Sequence, residues 1–456
     1  MTILLRGGTV VSASNVKKLD VLISGSKITK VARHISADTA QVVDCTGKLI
    51  FPGFIDAHTH FDLEVSDTVT ADDFSSGTKA AICGGTTTII DFATQNKGET
   101  LATALNNWHI KAFSKSSCDY AFHMAISDWN ENIKEEVASM FEQGVTSFKA
   151  YMTYPAMMLS DEELFDMLST LKKYGGIVSV HCENHGIINA LTKEKKEKGE
   201  LYVATHPKVR PSVCEGEAID RLLSIAKVVD VPVIIVHLSS KEGLQVVRTH
   251  RKNGSKVYVE TCPQYLLLDD TVYDKKGIEG AKFVCSPPIR KKQDSKELWN
   301  ALKESEIDTV ATDHCSFTLE QKSKGLDDFS KMPNGMPGVE TRGVLMYTYG
   351  VCKNRIKLER MCKLLCENPA KLYGMYPKKG VIKEGSDADI VVLDIKAKEI
   401  ISKDTHHSNA DYSPFEGVRT KCKVQSVFLR GKQVVKDGEI VLENKGKFVH
   451  RALSDL

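Results

Sequence analysis

His58-Thr59-His60 ends the run FIDAHTH, His181 sits near the end of GIVSVHCE, His237 near the end of PVIIVHLS, and Asp313 near the end of DTVATDH. Imidazole nitrogen and carboxylate oxygen are donors of zinc and its neighbours, and residues i and i+2 of a strand face the same way, so His58 and His60 can reach one ion. A single histidine at a strand end is ordinarily just hydrogen-bonded. Four of them with an aspartate, each ending a β-prone run, point to a metal centre. Lys149 adds a different chemistry. It lies in TSFKAYM among apolar neighbours, where a buried ammonium is costly. A salt bridge to an acid is one answer; the other is a neutral amine that reacts with CO2 to a carbamate, whose two oxygens can bridge two divalent metals. Charge favours the carbamate. Two divalent ions facing neutral imidazoles, one aspartate and one hydroxide keep a large excess of positive charge if Lys149 stays cationic, and a small one if it becomes an anion.

These donors need a scaffold that brings the ends of separate strands together. Between about Gly53 and Tyr376 short apolar runs alternate with amphipathic stretches, the βαβα pattern of a parallel sheet. The runs are 54–60, 87–94, 119–126, 146–152, 176–183, 232–239, 256–262 and 308–314, and eight is the closure number of the (β/α)8 TIM barrel, whose active sites gather at the C-terminal strand ends. An open dinucleotide-binding sheet is disfavoured, because no Gly-x-Gly-x-x-Gly follows the first run. Ser160 to Glu163 reads as a capping box opening a helix that Gly175 stops. The two ends of the chain are β-prone and turn-rich, with Arg430-Gly431-Lys432 and Asp437-Gly438 as hairpin turns. Each end alone makes a thin core, so a small discontinuous β-sandwich domain built from both termini is expected, residues 1–52 plus 378–456, around a barrel of residues 53–377.

Composition narrows the class further. Lys and Arg number 61 against 59 Asp and Glu, a formal charge of +2 that offers nucleic acid no footprint. Hydrophobic residues at 42% and charged residues at 26% are ordinary globular usage. No apolar run approaches the roughly 18 residues of a membrane span, and the start lacks the order of a signal peptide, so a cytoplasmic protein with no membrane partner is expected. The 12 cysteines, without framework spacing, are expected to be reduced thiols.

GFIDAHTH, TVTADDFSSGTKAAICGGTTTIIDF, GVTSFKAYM, VSVHCEN, VHLSS, ETCPQYL, SPPIR, ATDHCSF and PNGMPGVETR together resemble the dihydropyrimidinase and D-hydantoinase branch of the cyclic amidohydrolases. The resemblance covers nearly the whole chain. It implies two divalent metals, usually zinc, with Mn2+ and Co2+ also suited to the donors. One would be held by His58, His60, Asp313 and carbamylated Lys149, the other by His181, His237 and the same carbamate. It implies that a metal-bridging hydroxide attacks the carbonyl of a cyclic amide, with Asp313 as general base and acid, giving an N-carbamoyl acid. Tyr154 matches a position whose hydroxyl stabilises the oxyanion, and Ser286 and Asn334 match positions that bind the cyclic imide through the backbone. Leu63, in Leu63-Glu64-Val65, falls in a loop that shapes the pocket for the ring substituent. There, and at Pro155 to Met158, the chain departs from the usual hydantoinase pattern, which points to a broad range of 5-substituted hydantoins, aryl ones included, with dihydrouracil as the main rival.

Phe61-Asp62 after His60 disfavours dihydroorotate, since an anion there repels a carboxylate. An allantoinase-type hydrolase and a non-catalytic dihydropyrimidinase-like scaffold protein remain the alternatives, the latter disfavoured because all six ligand positions are present. The resemblance also implies a homotetramer (or homodimer), with the tail NKGKFVHRALSDL as a segment able to reach a neighbouring subunit. Other residues read as structural. KEKKEKGE is a solvated face, Cys362 and Cys366 belong to a helix core, His123 packs mid-strand, His314 points away from Asp313, and Asp56 either orients a ligand or pins its strand.

Overall fold

A computed structural model of the chain describes residues 2–65 and 67–455. All eight expected runs become barrel strands: β1 (Phe54–Thr59), β2 (Thr86–Thr94), β3 (Asp119–Ala125), β4 (Ser147–Tyr151), β5 (Ile177–His181), β6 (Val233–Ile235), β7 (Val257–Thr261) and β8 (Thr309–Val310). They pair in parallel and in chain order. The ring closes where Thr59 bridges His314 and the His60 N–H donates to the His314 carbonyl at 2.8 Å. The strands are apolar in both phases because both faces are covered. Val233 and Ile235 pack in the main core with the helices, while Ile234 and Val236 join Ile55, Ala57, Tyr373 and Met375 in a separate cluster.

Local signals behave as their chemistry requires. The Ser160 hydroxyl accepts from the Glu163 N–H at 3.2 Å, and Glu163 accepts from the Ser160 N–H at 2.6 Å, completing the box at the start of the helix Asp161–Tyr174. Gly175 ends that helix at φ 73°, a left-handed conformation that glycine adopts without a Cβ penalty.

Strands from both termini form one nine-stranded sheet, and the seam is the antiparallel pairing of Leu49–Pro52 with Ile390–Asp394. Arg430 and Gly431, at φ 44° and 75°, and Asp437 and Gly438, at 53° and 90°, are the expected hairpin turns. The sheet encloses its own core of Ile3, Leu5, Val21, Ile23, Ile50, Ile390 and Phe428. Lys379, 2% exposed, ties it to the barrel, lying 2.7 Å from Asp119 at the start of β3 and 2.5 Å from Asp389 beside the seam. All 12 cysteines are free, Cys362 and Cys366 in the core among them.

The described part of the tail lies along its own barrel. Its backbone pairs with its own barrel, with the Tyr120 N–H donating to Lys447 at 3.0 Å, the Val449 N–H to Tyr120 at 2.8 Å and the Ala452 N–H to Gly374 at 3.0 Å. Gly374 is at φ 65°, and a Cβ there would collide with the Ala452 carbonyl. Arg451 is 1% exposed, donating to the Ser147 hydroxyl at 2.8 Å and to the Phe122 carbonyl. These bonds give buried barrel backbone groups their partners, so hydrogen-bond satisfaction holds the tail against its own barrel. Arg451→Met is therefore expected to lower unfolding stability by about 1–3 kcal/mol, measured by chemical denaturation. An unchanged midpoint would show that the tail is only draped over the barrel.

Candidate metal centre

β1 delivers His58 and, just past its end, His60; the turn after β8 delivers Asp313 at φ 52°. Asp313 Oδ1 lies 3.1 Å from His58 Nε2 and 3.2 Å from His60 Nε2. The ligand atoms of these three residues are all within 4.8 Å of one another. From His58 the cluster continues to His237, with ring centres 5.4 Å apart, and from His237 to His181, 4.6 Å apart. Lys149 stands on β4, its Nζ 5.2 Å from the centre of the Phe92 ring and 5.3 Å from that of Tyr151. Phe92 stacks on His60 and Tyr151 on His181, so the amine lies between the two histidine groups. It is 1% exposed, and no carboxylate of the described residues comes within ion-pair distance. Burial pulls Lys149 down to about 8.

Burial likewise lowers His60, His181 and His237, keeping them neutral with a lone pair free. His58 goes the other way. Burial opposes the charge, but Asp313 and Glu260 on either side raise it to about 9. Asp313 is held well below the usual carboxylate range despite its burial, by His58 and His60. Among the described residues the buried Nδ1 atoms of His60 and His237 have no hydrogen-bond partner. Two imidazole Nε2 atoms at one carboxylate oxygen, with neutral His181 and His237 beside them, suit a divalent cation.

Behind the cluster stand carboxylates that sequence reasoning did not single out. Glu260 on β7 meets His58 Nδ1 at 2.7 Å, and Glu183 meets His181 Nε2 at 2.8 Å, leaving Nδ1 of His181 toward the cluster. Arg210 pairs with Glu183 and, with His181, holds it down to about 2 against its burial. Such partners fix the tautomer and orientation of a ligating ring. The one signal for Glu260 was an acid inside the apolar run KVYVETC; for Glu183, its place two residues beyond His181. Asp56 touches no ligand ring. It accepts from the Thr312 hydroxyl at 2.7 Å and the His58 N–H at 3.3 Å, pinning β1 to the turn after β8. His314 does turn away, its Nε2 on Asp72 at 3.0 Å and its Nδ1 accepting from the Gly338 N–H. His123 is buried between Ser147 and the Ala57 carbonyl.

Tyr154 follows β4 at φ 71°, its ring 5.3 Å from that of His181 and 5.4 Å from the Arg210 guanidinium. Burial raises its phenol, and the Ser286 hydroxyl lies beside it. Among the described residues the buried Asn334 Oδ1 has no hydrogen-bond partner, and the Tyr154 phenol is the polar group that faces the buried Ser286 Oγ. Leu63 packs against the main core, its N–H on the Thr70 hydroxyl. Lys322, hidden in the charged stretch QKSKG, is fully buried and ties the loops of Ser286 and Asn334 together, donating to the Val284 carbonyl at 2.7 Å and the Pro333 carbonyl at 2.8 Å.

A closed eight-stranded barrel with a buried histidine and aspartate cluster at its C-terminal mouth is a scaffold for metal-assisted hydrolysis. The chain matches the Amidohydrolase family across residues 49–434 and belongs to it. It is 42% identical to a D-hydantoinase of Geobacillus stearothermophilus, over 99% of this chain and 97% of that one. A D-phenylhydantoinase of Escherichia coli is 40% identical, over 99% and 98%. The crystal structure of a dihydropyrimidinase from Brevibacillus agri superposes with a TM-score of 0.98 at 42% identity, covering 100% of this chain and 99% of the other.

If Glu260 orients His58, Glu260→Gln weakens metal binding about 10- to 100-fold. Competition with a chelator measures it, and an unchanged affinity would separate Glu260 from the cluster.

Proposed function

We propose that the protein hydrolytically opens cyclic amides, 5-substituted hydantoins including aryl ones and/or dihydropyrimidines, to N-carbamoyl amino acids. The observation that carries this is the convergence of His58, His60, His181, His237 and Asp313 around a buried Lys149 that has no carboxylate partner among the described residues. His58, His60 and Asp313 would hold one divalent ion and His181 and His237 another, zinc being the expected metal and carbamylated Lys149 the bridge. Such ions supply Lewis acidity and a water ionised near neutral pH.

The chain's own groups then have defined tasks. Asp313, ionised because His58 and His60 stabilise its charge, is a proton acceptor at neutral pH and passes the proton to the leaving ring nitrogen. Tyr154, kept protonated by burial, remains a hydrogen-bond donor for the oxyanion. Ser286 and Asn334 present backbone groups to the imide. Met157 packs with Phe92, Tyr151 and Tyr154, where a flexible thioether accommodates different ring substituents. The same reading takes residues 53–377 as the catalytic barrel and 1–52 plus 378–456 as the accessory unit of a cytoplasmic homotetramer or homodimer. No helix of the described residues is long and apolar enough to cross a membrane.

Ring opening of hydantoin, aryl hydantoin, dihydrouracil, allantoin and dihydroorotate by metal-replete enzyme is the direct test. Turnover of aryl hydantoins is expected to lead; comparable turnover of dihydrouracil with none on aryl hydantoins would overturn that preference, and an empty metal site with no hydrolysis would favour the scaffold reading. Lys149→Ala is expected to lose both bound metal and activity, with recovery only when a short-chain acid replaces the carbamate; full activity without rescue would break the proposal. Lys322→Met, which loosens the Ser286 and Asn334 loops, is expected to raise KM roughly tenfold with metal content and kcat little changed. A matching fall in kcat would place Lys322 in the general stability of the barrel instead.

A further inference from the structure

We propose that Cys83 and His407, oriented by Glu340, form a separate binding site for a thiophilic divalent cation of the zinc and cadmium class. Cys83 is the last residue of the helix Phe74–Cys83, Glu340 follows β8, and His407 lies in the segment leading into the last strands of the terminal sheet. Donor atoms of the three lie within 4.8 Å of one another.

The distances define the roles. The Cys83 Sγ and His407 Nε2 are 3.6 Å apart. Zinc bonds of about 2.3 Å to sulfur and about 2.0–2.1 Å to nitrogen, at a tetrahedral angle, put those two ligands about 3.6 Å apart. The pair is already spaced for one ion. Both oxygens of Glu340 are used by His407, Oε1 on Nδ1 at 2.9 Å and Oε2 accepting the backbone N–H at 2.8 Å. Glu340 is therefore a positioning residue: it holds the proton on Nδ1 and turns the Nε2 lone pair toward the sulfur, the carboxylate, histidine and metal arrangement of many zinc sites.

The electrostatic setting suits a cation better than a nucleophilic thiol. A reactive thiolate needs positive surroundings or a helix N-terminus. Cys83 instead ends its helix, where the dipole favours positive charge, and the carboxylates of Glu340 and Glu439 act on both Cys83 and His407. The nearby Lys79 is paired with Glu443 at 2.9 Å. Exposed Glu439 adds negative charge that acts on both groups, and water completes the coordination. The His407 side chain, 30% exposed, leaves the pair open to solvent. At a pH high enough for His407 to be neutral despite Glu340, binding breaks the Cys83 S–H bond, forms a sulfur–metal bond and sends one proton to solvent.

The experiment titrates Cd2+ into metal-replete protein in a Cys352→Ser background, which removes the exposed thiol. Calorimetric stoichiometry, proton release and the ultraviolet thiolate-to-cadmium absorption are read together. The reference chain is expected to bind one equivalent more than its Cys83→Ser derivative, with one proton released and the thiolate band present. Glu340→Gln is expected to weaken that equivalent about 10- to 100-fold. His407→Gln, which leaves the helix end intact, is a second arm in case Cys83→Ser fails to fold, and it too should lose the equivalent. Equal stoichiometry and the same band in reference, Cys83→Ser and His407→Gln would overturn the proposal. The result is a difference between variants, so it stands apart from how many ions the barrel mouth holds.

Discussion

An amine buried beside a histidine and aspartate cluster, with no carboxylate of the described residues within ion-pair distance, is the constraint on which the barrel mouth depends. Desolvation of an ammonium is costly enough that an isolated lysine in a protein interior is ordinarily paired or neutral. Around Lys149 the nearest walls are aromatic, Phe92 and Tyr151, and the acids stand elsewhere: Asp313 between His58 and His60, Glu260 and Glu183 behind the histidine rings. A carboxylate beside the amine would make a stable ion pair and end its chemistry. Placing the acids one ring away stabilises the cluster as a whole while leaving the nitrogen without an ion-pair partner among the described residues.

That placement requires rigid walls. Phe92 touches His58, His60 and His123 at ring separations of 4.7, 4.9 and 4.8 Å, so its position sets that of three imidazoles. Its neighbour Asp91 is what holds it. The Asp91 carboxylate accepts from the Thr59 hydroxyl at 2.7 Å, the Phe61 N–H at 3.0 Å and the Trp108 indole at 3.0 Å. One acid on β2 thus fixes the backbone on both sides of His60. Asp72 does the same on the far side, joining His314 at 3.0 Å to Ser316 at 2.7 Å and to the Asn409 N–H at 2.8 Å. Through it a segment near the C-terminus braces the turn that carries Asp313.

The eight strands, the Ser160 cap and the Arg430-Gly431 turn were legible because each is written in contiguous residues. The clustering of His58, His60, His181, His237 and Asp313 was legible because a closed barrel turns equal positions in eight repeats into neighbours. The supporting acids were not, because Glu260 and His58 are 202 residues apart and nothing in either run names the other. Lys322 was hidden for a related reason: in sequence it is one of several lysines in a polar stretch, and only the fold buries it beneath two carbonyls. The tail's pairing with its own barrel at Tyr120 and Gly374 joins residues far apart in the chain, which no local pattern reveals.

Backbone conformation carries the last share of the site's precision. His237, Asp313 and Tyr154 have φ of 41°, 52° and 71°, a region that costs a non-glycine residue about 1–3 kcal/mol. A residue in a continuous ladder could not take it, which accounts for β6 and β8 ending at Ile235 and Val310, ahead of His237 and Asp313. The cost is offset by specific bonds. Glu260 accepts from the His237 N–H at 3.3 Å as well as meeting His58, and its own carbonyl accepts from the Leu238 N–H at 2.8 Å. Asp56 holds Thr312 just before Asp313, by its N–H at 3.1 Å and its hydroxyl at 2.7 Å. Glu260 thus holds the His237 turn and the His58 ring at once, so side-chain geometry and backbone geometry fail or hold together there.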